Sequence, residues 1–581
     1  MKWVTFVTLY CCCLFSIQSQ TCNSYYIQME DSVKLAADVF LPTSYEQGEL
    51  PVLIQFERYW RSSITKKNEE PTLHGLSKYF SDNGYIIVIV DTRGSGASFG
   101  TRLSEYSPQE VNDAEQVLDW VVDQPWSNGN IGSYGTSYTG TTAELLCATK
   151  HPSLKAVIPG WSDFDIYRSP VRPYGMLASK FIKKWGTYVK LLDRNRSLIL
   201  KSSVHPVDED SLKAAIKEHK GNLNVYRSTK KGEFRNSDMG VYDYEECSVV
   251  HWKEEIEASK VPMLVLASWM DAGTAEGTIQ RLEHFSNPQK VILMATSHGG
   301  WSNASPFSVE NIAKYPNLLK QYQNNLQLEF FDHHVKGIDN GVDEWPLMRY
   351  FNMGQEVYKE SDSWPIPGTE TTNFYFLEEG RLGSEKPNTE TGTDQYKVDF
   401  GVYTSKMNRW TTQMGEPVLN LNHRNEMDDR MLTYTSQPVT DDVQITGTPV
   451  VTIQISSTHE DGAVFVYLED VDENGNSTYI TEGGLRLIHR KIAEQTDESF
   501  NLHSFNEEDA SPMTPGKTEL ITFKLWPTSV LIKKGHSIRI AIAGADKSTF
   551  DRIPKTGTPT YTIQRNASSS SFISLPIIVS D

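Results

Sequence analysis

The chain has 581 residues, of which 38% are hydrophobic and 11% aromatic, so it is long and apolar enough to bury several cores and is not a disordered polypeptide. Its formal net charge is −19, and Lys and Arg form no long basic run. This charge argues against non-specific binding to nucleic acid, whose phosphate backbone would be repelled.

Residues 1–20 resemble a secretory signal peptide in composition. Lys2 precedes the apolar run WVTFVTLYCCCLFSI, and a short polar stretch follows. A buried strand and a membrane anchor are the alternatives, but the apolar run is too short to span a bilayer comfortably. We therefore expect a secreted protein, extracellular or periplasmic according to the host, without stable membrane insertion.

Three of the six cysteines fall inside this segment. The others, Cys22, Cys147 and Cys247, are odd in number, so at most one disulfide can form and a disulfide framework is excluded. They do not cluster with other metal ligands in the sequence. We expect no metal site.

Residues 21–160 alternate apolar runs with helical segments. The runs VLIQF, YIIVIVD, NIGSY and LKAVIP are short and continuous, and PQEVNDAEQVLDWVVDQ has apolar residues at helical spacing. Such runs separated by helices indicate a parallel sheet that is buried on both faces. This segment is predicted to be the first part of an α/β core.

Residues 161–259 break this pattern, because they are rich in Lys, Glu, Asp and Tyr and contain no buried-strand run. GMLASKFIKKWGTYVKLL reads as an amphipathic helix, and the strand pattern resumes with VPMLVLAS and KVILMAT. The sequence therefore predicts a helical insertion at 161–259 and a second part of the core at 260–350.

Residues 351–581 are predicted to form a separate β domain. TPVVTIQISS, GAVFVYLEDV, TELITFKLW and HSIRIAIAGA alternate apolar with polar residues, and Gly, Asp, Asn and Pro separate them. This pattern is typical of antiparallel sheets arranged as a sandwich or jelly roll.

Ser137 is the candidate nucleophile. It stands in GNIGSYGTSYTGTTAELLCATKHP, where a strand, a glycine-containing turn and a helix follow one another. α/β-hydrolases present their serine on such a strand-to-helix turn. Thr139 occupies the position where the usual pattern has glycine, and Gly140 follows, so the motif alone leaves a simple loop serine as an alternative.

Two later residues stand where such a serine needs its partners. Asp271 follows the apolar strand of PMLVLASWMDAG, and His298 follows the next strand in KVILMATSHGG. A lone Asp there can be a turn former and a lone His can be structural. The order serine, acid, histidine is nevertheless that of α/β-hydrolases, so Asp271 and His298 are predicted to complete a triad with Ser137.

An oxyanion formed on the substrate also needs hydrogen-bond donors. The backbone N–H of Tyr138, directly after the serine, is one candidate. Tyr59 in VLIQFERYWRSS follows an early strand, and its phenol is the second, although the position also suits an aromatic packing residue.

Four motifs together resemble one known family. DTRGSGASFG, GTSYTG, WMDAG and SHGG are similar to the bacterial cocaine esterases and X-Pro dipeptidyl-peptidases, and the resemblance covers nearly the whole chain after residue 20. It implies an α/β-hydrolase core, an inserted helical cap and a C-terminal jelly roll. It also implies that Ser137, Asp271 and His298 form the triad, that Tyr59 and Tyr138 bind the oxyanion, and that no cofactor is needed. The family includes dimers, so a homodimer is an expectation.

The resemblance bears on the substrate as well. DIYRSPVRPYG looks closest to the cocaine esterases, but Val171 replaces an aromatic that packs on the acyl group there, which argues against a benzoyl preference. Amino-ester hydrolases carry carboxylates directly after the triad acid, whereas DAGTAEG has none before Glu276. Trp161, Asp165 and Trp269 are predicted to contact the substrate.

The sequence thus predicts a secreted serine hydrolase of small-molecule esters or amides that works through an acyl-enzyme. An X-Pro dipeptidyl-peptidase is the alternative within this class, and it would need a buried anion for the substrate's N-terminus. Asp163 and Asp165 are candidates, although both also fit a helix start. An inactive ligand- or carbohydrate-binding protein on the same scaffold is the alternative from another class.

Overall fold

A computed structural model describes residues 21–66, 69–308, 316–418, 421–494 and 502–579. The predicted signal peptide at 1–20 lies outside the described residues, so it stays a prediction.

A ten-stranded sheet forms the centre of the first part of the chain. Along the sheet, the strands follow their order in the chain with one exception: the third strand in sequence lies between the fourth and the fifth. The central strands, which alternate with helices, are parallel. Antiparallel strands form both edges of the sheet. The strands are β1 Thr21–Gln28, β2 Lys34–Leu41, β3 Leu50–Glu57, β5 Ile86–Asp91, β6 Ser127–Thr136, β7 Leu154–Gly160, β9 Met263–Ser268, β10 Gln289–Met294, β11 Met348–Asn352 and β12 Val357–Ser361.

Helices cover both faces of this sheet. Along β3, Val52 and Ile54 pack with one apolar core while Leu53 between them packs with another. Because side chains of a strand alternate between faces, these are the two sides of one sheet. The helices are α1 Gly75–Asp82 and α10 Pro316–His334, which share one core, and α2 Pro108–Val122, α3 Tyr138–Leu145 and α9 Thr274–His284, which share the other. The predicted α/β-hydrolase core is confirmed.

The segment between β7 and β9 is mainly helical. It contains α4 Ser179–Asp193, α5 Ser197–Leu200, α6 Glu209–Glu218, α7 Val225–Lys231 and α8 Lys253–Ser259, and the short strands β4 Ser63–Ile64 and β8 Ser203–Val204 pair beside it. The predicted amphipathic helix begins at Ser179 rather than at Gly175. Tyr174 has a φ of +63°, which interrupts the helical path just before it.

A second sheet network of thirteen strands forms the C-terminal β domain, and nearly all of its pairs are antiparallel. The short helix α11 Asn425–Asp428 joins two of its strands. The strands are β13 Thr369–Phe376, β14 Arg381–Gly383, β15 Thr393–Lys397, β16 Leu432–Ser436, β17 Val443–Gly447, β18 Val450–Ser457, β19 Ala463–Val471, β20 Ser477–Arg486, β21 Glu519–Lys524, β22 Thr528–Ile532, β23 Ser537–Ala543, β24 Thr560–Gln564 and β25 Phe572–Ile578. The β domain is confirmed, and its description as a jelly roll stays a prediction.

The first sheet extends beyond the predicted boundary at residue 350. Strands β11 and β12 belong to it, so the α/β body ends after Ser361. Both strands are short and only partly buried, because they lie at or next to the edge of the sheet. The predicted boundary at residue 350, placed where helical patterns largely stop in the sequence, lies about ten residues before this point.

Cys22, Cys147 and Cys247 are all unpaired. Among the residues that the structure describes, no helix combines the length and the apolar character needed to cross a bilayer.

Candidate active site

Ser137 occupies a sharp turn between β6 and α3. Its backbone has φ = +65° and ψ = −124°, a conformation that a non-glycine residue adopts only when its surroundings impose it. Its N–H donates to the Gly160 carbonyl of the neighbouring strand at 2.9 Å, and its own carbonyl accepts from the Thr141 N–H at 2.9 Å. These bonds hold the strained turn, and they present Ser137, partly exposed, at the wall of a pocket.

Close backbone approach explains the small residues around the serine. A Cβ on Gly140 would lie 2.5 Å from the Gly160 carbonyl oxygen, and one on Gly135 would lie 2.3 Å from the Thr139 backbone. Thr139 itself closes the turn, because its hydroxyl donates to the Thr136 carbonyl at 2.9 Å and accepts from the Thr136 N–H at 2.8 Å. The departure from the usual glycine pattern therefore has a structural role.

Asp271 and His298 are in contact. The Asp271 carboxylate is fully buried, and its Oδ2 lies 2.7 Å from Nδ1 of His298. Burial alone would lower the pKa of His298, but the contact with Asp271 and the charge of Asp163 outweigh it, so that this pKa is raised above its usual value. The carboxylate thus fixes the orientation of the imidazole and favours its protonated form.

The two loops that carry these residues are tied together. The Ser268 hydroxyl at the end of β9 donates to the Thr296 carbonyl at 2.6 Å and accepts from the Thr296 N–H at 3.0 Å. Since β9 and β10 are adjacent and parallel, their carboxyl ends open into the same edge of the sheet. This arrangement brings together side chains that are 27 residues apart in the sequence.

The histidine loop lies beside the serine turn. A Cβ on Gly299 would be 3.3 Å from Cγ2 of Thr136, which precedes Ser137. Nε2 of His298 is buried and has no hydrogen-bond partner among the described residues, so the hydroxyl of Ser137 does not bond to it here. In enzymes without substrate, catalytic hydrogen bonds are often long and tighten only in the substrate complex.

The pocket at Ser137 has an empty volume of about 640 Å³ and lies between the sheet and the helical segment. Tyr59 lines it, and the Tyr59 oxygen accepts a hydrogen bond from Nε1 of Trp185 on α4 at 2.9 Å. That bond leaves the phenolic proton available for another acceptor. Burial raises the pKa of Tyr59 well above its usual value, so the phenol keeps its proton at neutral pH.

Tyr138 is the first residue of α3, and backbone N–H groups of a first helical turn have no partner within the helix. Its side chain is fully buried: the hydroxyl donates to Glu110 at 2.8 Å and accepts from Arg102 at 2.9 Å. Arg102 and Glu110 form a buried ion pair with each other, and this pair holds the Tyr138 side chain in place.

Most of the pocket wall is apolar, and the helical segment supplies it. The apolar lining residues are Ile166, Pro170, Val171, Phe181, Ile182, Trp185, Leu223, Val225 and Met239.

Asp163 is the acid of the pocket wall without a cationic partner at hydrogen-bond distance. Its Oδ2 lies 3.5 Å from the Tyr106 hydroxyl, and its buried Oδ1 has no hydrogen-bond partner among the described residues. Burial raises the pKa of Asp163 to about 7; the charge of His298 opposes this rise and that of Asp271 adds to it. The other acid of the wall, Glu105, pairs with Arg58 and Arg102.

The structure does not bring Trp161, Asp165 or Trp269 to the described pocket wall. The Asp165 carboxylate accepts from the Tyr167 N–H and pairs with Arg235 at 3.1 Å, so it supports the helical segment. The indole N–H of Trp269 donates to a carbonyl of β11, and Trp161 is buried in a core of the sheet. Trp269 stands two residues before the predicted acid Asp271, but both tryptophans point into packed regions instead of the cavity.

Sequence reasoning missed Trp185, Thr412 and Gln413. Gln413 lines the pocket and Thr412 donates to Asp271, although both belong to the C-terminal β domain. No motif marks them, and they lie more than 140 residues after Asp271. Trp185 stood within a recognised amphipathic helix, and its position relative to Tyr59 follows only from how that helix packs.

Comparison with known families gives two matches. The model of the X-Pro dipeptidyl-peptidase (S15 family) matches residues 31–300, and that of the X-Pro dipeptidyl-peptidase C-terminal non-catalytic domain matches residues 340–572. A Mycobacterium bovis protein assigned as a serine esterase is 34% identical, over 96% of this chain and 95% of its own length. The cocaine esterase of Rhodococcus is 25% identical, over 96% of this chain and 98% of its own length.

Solved structures share the fold. A CocE/NonD family hydrolase from Staphylococcus aureus has a TM-score of 0.72 at 19% identity, covering 96% of this chain and 94% of that one. An α-amino acid ester hydrolase has a TM-score of 0.74 at 19% identity, covering 99% of this chain and 98% of that one.

Proposed function

This chain belongs to the X-Pro dipeptidyl-peptidase (S15) family and is a serine hydrolase, and from that premise we propose that it cleaves carboxylic esters with Ser137 as nucleophile, His298 as base and Asp271 as the orienting acid. The observation that carries the proposal is the 2.7 Å contact of Asp271 with His298 next to the strained turn of Ser137. A strained serine turn beside a buried acid–imidazole pair suits nucleophilic catalysis.

In the first step, the Ser137 oxygen forms a bond to the ester carbonyl carbon while Nε2 of His298 takes the hydroxyl proton. The resulting imidazolium is stabilised by Asp271, which stays ionised. The carbon–oxygen bond to the alcohol then breaks, and His298 passes its proton to the leaving oxygen. An acyl group remains on Ser137.

In the second step, His298 accepts a proton from a water molecule as the water oxygen attacks the acyl carbon. The bond to Ser137 breaks, the serine oxygen recovers a proton from His298, and the carboxylic acid leaves. The Tyr59 phenol and the Tyr138 N–H donate to the negative oxygen that forms in both steps, where such donors are worth several kcal/mol (about 2.7–4 for one donor).

The pocket supports a bulky apolar group as the preferred acyl or alcohol part of the ester. Its wall is mainly aliphatic and aromatic, and Val171 lines it where a larger aromatic would take up space. A buried apolar surface contributes about 25 cal/mol per Å² of ligand area removed from water. Turnover should rise with chain length in a series of p-nitrophenyl esters until the pocket is filled.

An X-Pro dipeptidyl-peptidase activity is the second candidate function, and Asp163 is the residue that favours it. A carboxyl group in the pocket wall could pair with a substrate ammonium, and some relatives are named as X-Pro dipeptidyl-peptidases at 22% identity. Release of p-nitroaniline from Gly-Pro-p-nitroanilide, abolished by N-acetylation of the substrate, would support it. Ester hydrolysis without release of p-nitroaniline would support the esterase activity and contradict the dipeptidyl-peptidase activity.

We further propose that the protein is secreted after removal of the predicted signal peptide at 1–20. N-terminal sequencing of the protein from the culture medium or periplasm tests this, and a mature chain that still begins at Met1 would contradict it. The homodimer expected from the resemblance is a proposal that light scattering of the mature chain tests.

The direct test of the enzyme mechanism uses Ser137→Ala and His298→Ala. Each should lower kcat for a p-nitrophenyl ester by about 10⁴- to 10⁶-fold, because triad residues act as a unit. Thr149→Ala, just after α3, is the control and should keep most of the activity, because the Thr149 hydroxyl bonds to the backbone of Leu146 and His151, away from the pocket. Turnover by Ser137→Ala at the wild-type rate would refute the assignment.

A further inference from the structure

The Asp271 carboxylate is buried completely, yet few groups stabilise it. Oδ2 contacts His298, and Oδ1 lies 2.6 Å from the hydroxyl of Thr412. A buried ionised carboxylate is costly unless its oxygens accept hydrogen bonds. One of its two short contacts therefore comes from outside the α/β body, from a turn between β15 and β16 of the β domain.

The Thr412 hydroxyl also lies 2.7 Å from the Arg409 carbonyl oxygen. A hydroxyl has one proton to donate, and an ionised carboxylate is the stronger acceptor of the two. The proton of Thr412 therefore goes to Asp271.

Arg409 anchors the same turn to the loop that carries Asp271. Its Nε donates to the Ala272 carbonyl at 2.9 Å and its Nη2 donates to the Trp269 carbonyl at 2.8 Å. In return, the Ala272 N–H donates to the Arg409 carbonyl at 2.9 Å. The backbone on both sides of Asp271 is thus bound by one fully buried side chain.

The turn reaches the substrate pocket as well. Gln413, the neighbour of Thr412, lines the pocket together with Ser137. The turn is therefore placed between the β domain, the triad acid and the cavity. Its position requires the β domain to be docked on the α/β body.

We propose that Thr412 and Arg409 are positioning residues for the catalytic acid, so that the active site is complete only with the β domain in place. Thr412 holds Oδ1 of Asp271 so that Oδ2 faces the imidazole, and Arg409 holds the loop. This inference rests on the proposed function, since it assigns Asp271 the role of triad acid.

The test compares Thr412→Val with Thr412→Ser. Valine has nearly the same shape but cannot donate, so kcat should fall about 10- to 100-fold, the range found when the outer hydrogen-bond partners of metal-ligating side chains are removed. KM should change little, because Thr412 does not touch the substrate. Serine keeps the donor and should restore kcat.

A pH profile separates positioning from a merely structural role. Without the donated proton, more of the negative charge of the carboxylate acts on the imidazolium, so the pKa of His298 rises. The acid limb of kcat/KM should therefore move to higher pH in Thr412→Val. Asp163 is the other acid beside His298 and is unchanged in the variant.

Thr411→Val is the matched control, because, in the described part of the chain, the Thr411 hydroxyl bonds only to the backbone of Asn408. It should leave the acid limb in place. If Thr412→Val does not fold, Thr412→Ala removes the same donor and is measured instead.

Wild-type kcat and an unmoved acid limb in the variant that lacks the donor would overturn the inference. The result for Ser137→Ala distinguishes failure of the positioning role from failure of the proposed function. If Ser137→Ala is inactive and Thr412→Val behaves like the wild type, only the positioning role is refuted. If Ser137→Ala is active, the proposed function is refuted.

Discussion

At the scale of single residues, the hydrogen-bond partners of a few side chains determine the chemistry of the pocket. Tyr59 is an example. Its oxygen accepts a hydrogen bond from Trp185, so the phenolic proton of Tyr59 is available for donation to an oxyanion. The Tyr59 ring also packs against Tyr138 and Tyr188, so the proposed donor role depends on its hydroxyl alone.

Removal of that donor gives the first prediction. Tyr59→Phe should lower kcat about 10²- to 10³-fold with little change in KM, because the lost bond matters mainly in the transition state. Ester kinetics measure this. Tyr188→Phe is the control, since Tyr188 stacks on Tyr59 with ring centroids 6.2 Å apart and is partly exposed. A Tyr59→Phe enzyme with wild-type kcat would show that the phenol is not an oxyanion donor.

The second prediction concerns the pH dependence of activity. The ionised form of Asp163 raises the pKa of His298, so Asp163→Asn should lower that pKa and move the acid limb of kcat/KM to lower pH. The ionisation of Asp163, near pH 7, should disappear from the profile. Thr412→Val is expected to move the same limb in the opposite direction.

Asp165→Asn serves as the comparison for Asp163→Asn, because the Asp165 carboxylate pairs with Arg235 away from the pocket. It should leave the acid limb where it is. Equal profiles for the wild type and Asp163→Asn would mean that Asp163 stays neutral throughout the working range.

The sequence predicted Ser137, Asp271 and His298 because each follows a strand and the order of their types is characteristic. It could not predict Thr412, because no local pattern records a hydrogen bond across 141 residues. Trp161 and Trp269 illustrate the opposite error: their positions suggested the pocket, but packing turned them away from it.

At the scale of elements, the helix that follows the nucleophile is fastened to the helix that follows the acid. Arg281 on α9 donates from Nε and Nη2 to the two oxygens of Glu144 on α3, each at 2.6 Å, and both side chains are fully buried. A bidentate buried pair of this kind fixes the relative position of the helices.

Breaking this pair gives the third prediction. Arg281→Met leaves the Glu144 charge buried without its partner, which should lower the free energy of unfolding by about 3–5 kcal/mol. Urea denaturation measures the loss. Lys78→Met is the control, since Lys78 forms an exposed pair with Asp82 and should cost less than about 1 kcal/mol. Losses of the same size in both variants would contradict the account.

Element prediction succeeded where the burial pattern was strong. The continuous runs of β3, β5 and β9 are buried on both faces and were recognised as parallel strands. Strands β11 and β12, at the edge of the first sheet, were not predicted, because they are short and only partly buried and contain no continuous apolar run. The chain path just before α4 is irregular because Tyr174 has a positive φ. Hydrophobic periodicity in the sequence does not indicate such a backbone conformation.

At the scale of the whole molecule, the α/β body, the helical segment and the β domain share one apolar core. A single cluster of buried side chains runs from strands of the first sheet to β18, β19 and β23 of the second. Tyr174 also accepts a hydrogen bond from Trp526 and donates to Glu482, both in the β domain. The parts are therefore expected to depend on one another.

The fourth prediction follows from this shared core and from the bond between Thr412 and Asp271. Heating should abolish esterase activity and β-domain structure in one transition, because the triad acid loses its support when the β domain undocks. Residual activity and the hydrogen exchange of β-domain peptides, measured by mass spectrometry after each temperature step, should give the same midpoint. Activity that survives the loss of the β-domain signal would contradict this coupling.

The central claim is that Ser137 carries the acyl group, and covalent labelling tests it most directly. After reaction with a fluorophosphonate, peptide mass spectrometry should find one adduct per chain, on the peptide that contains Ser137, and esterase activity should fall in proportion to labelling. Ser137→Ala should take up no label. An adduct on another residue, or full activity in fully labelled protein, would contradict the claim.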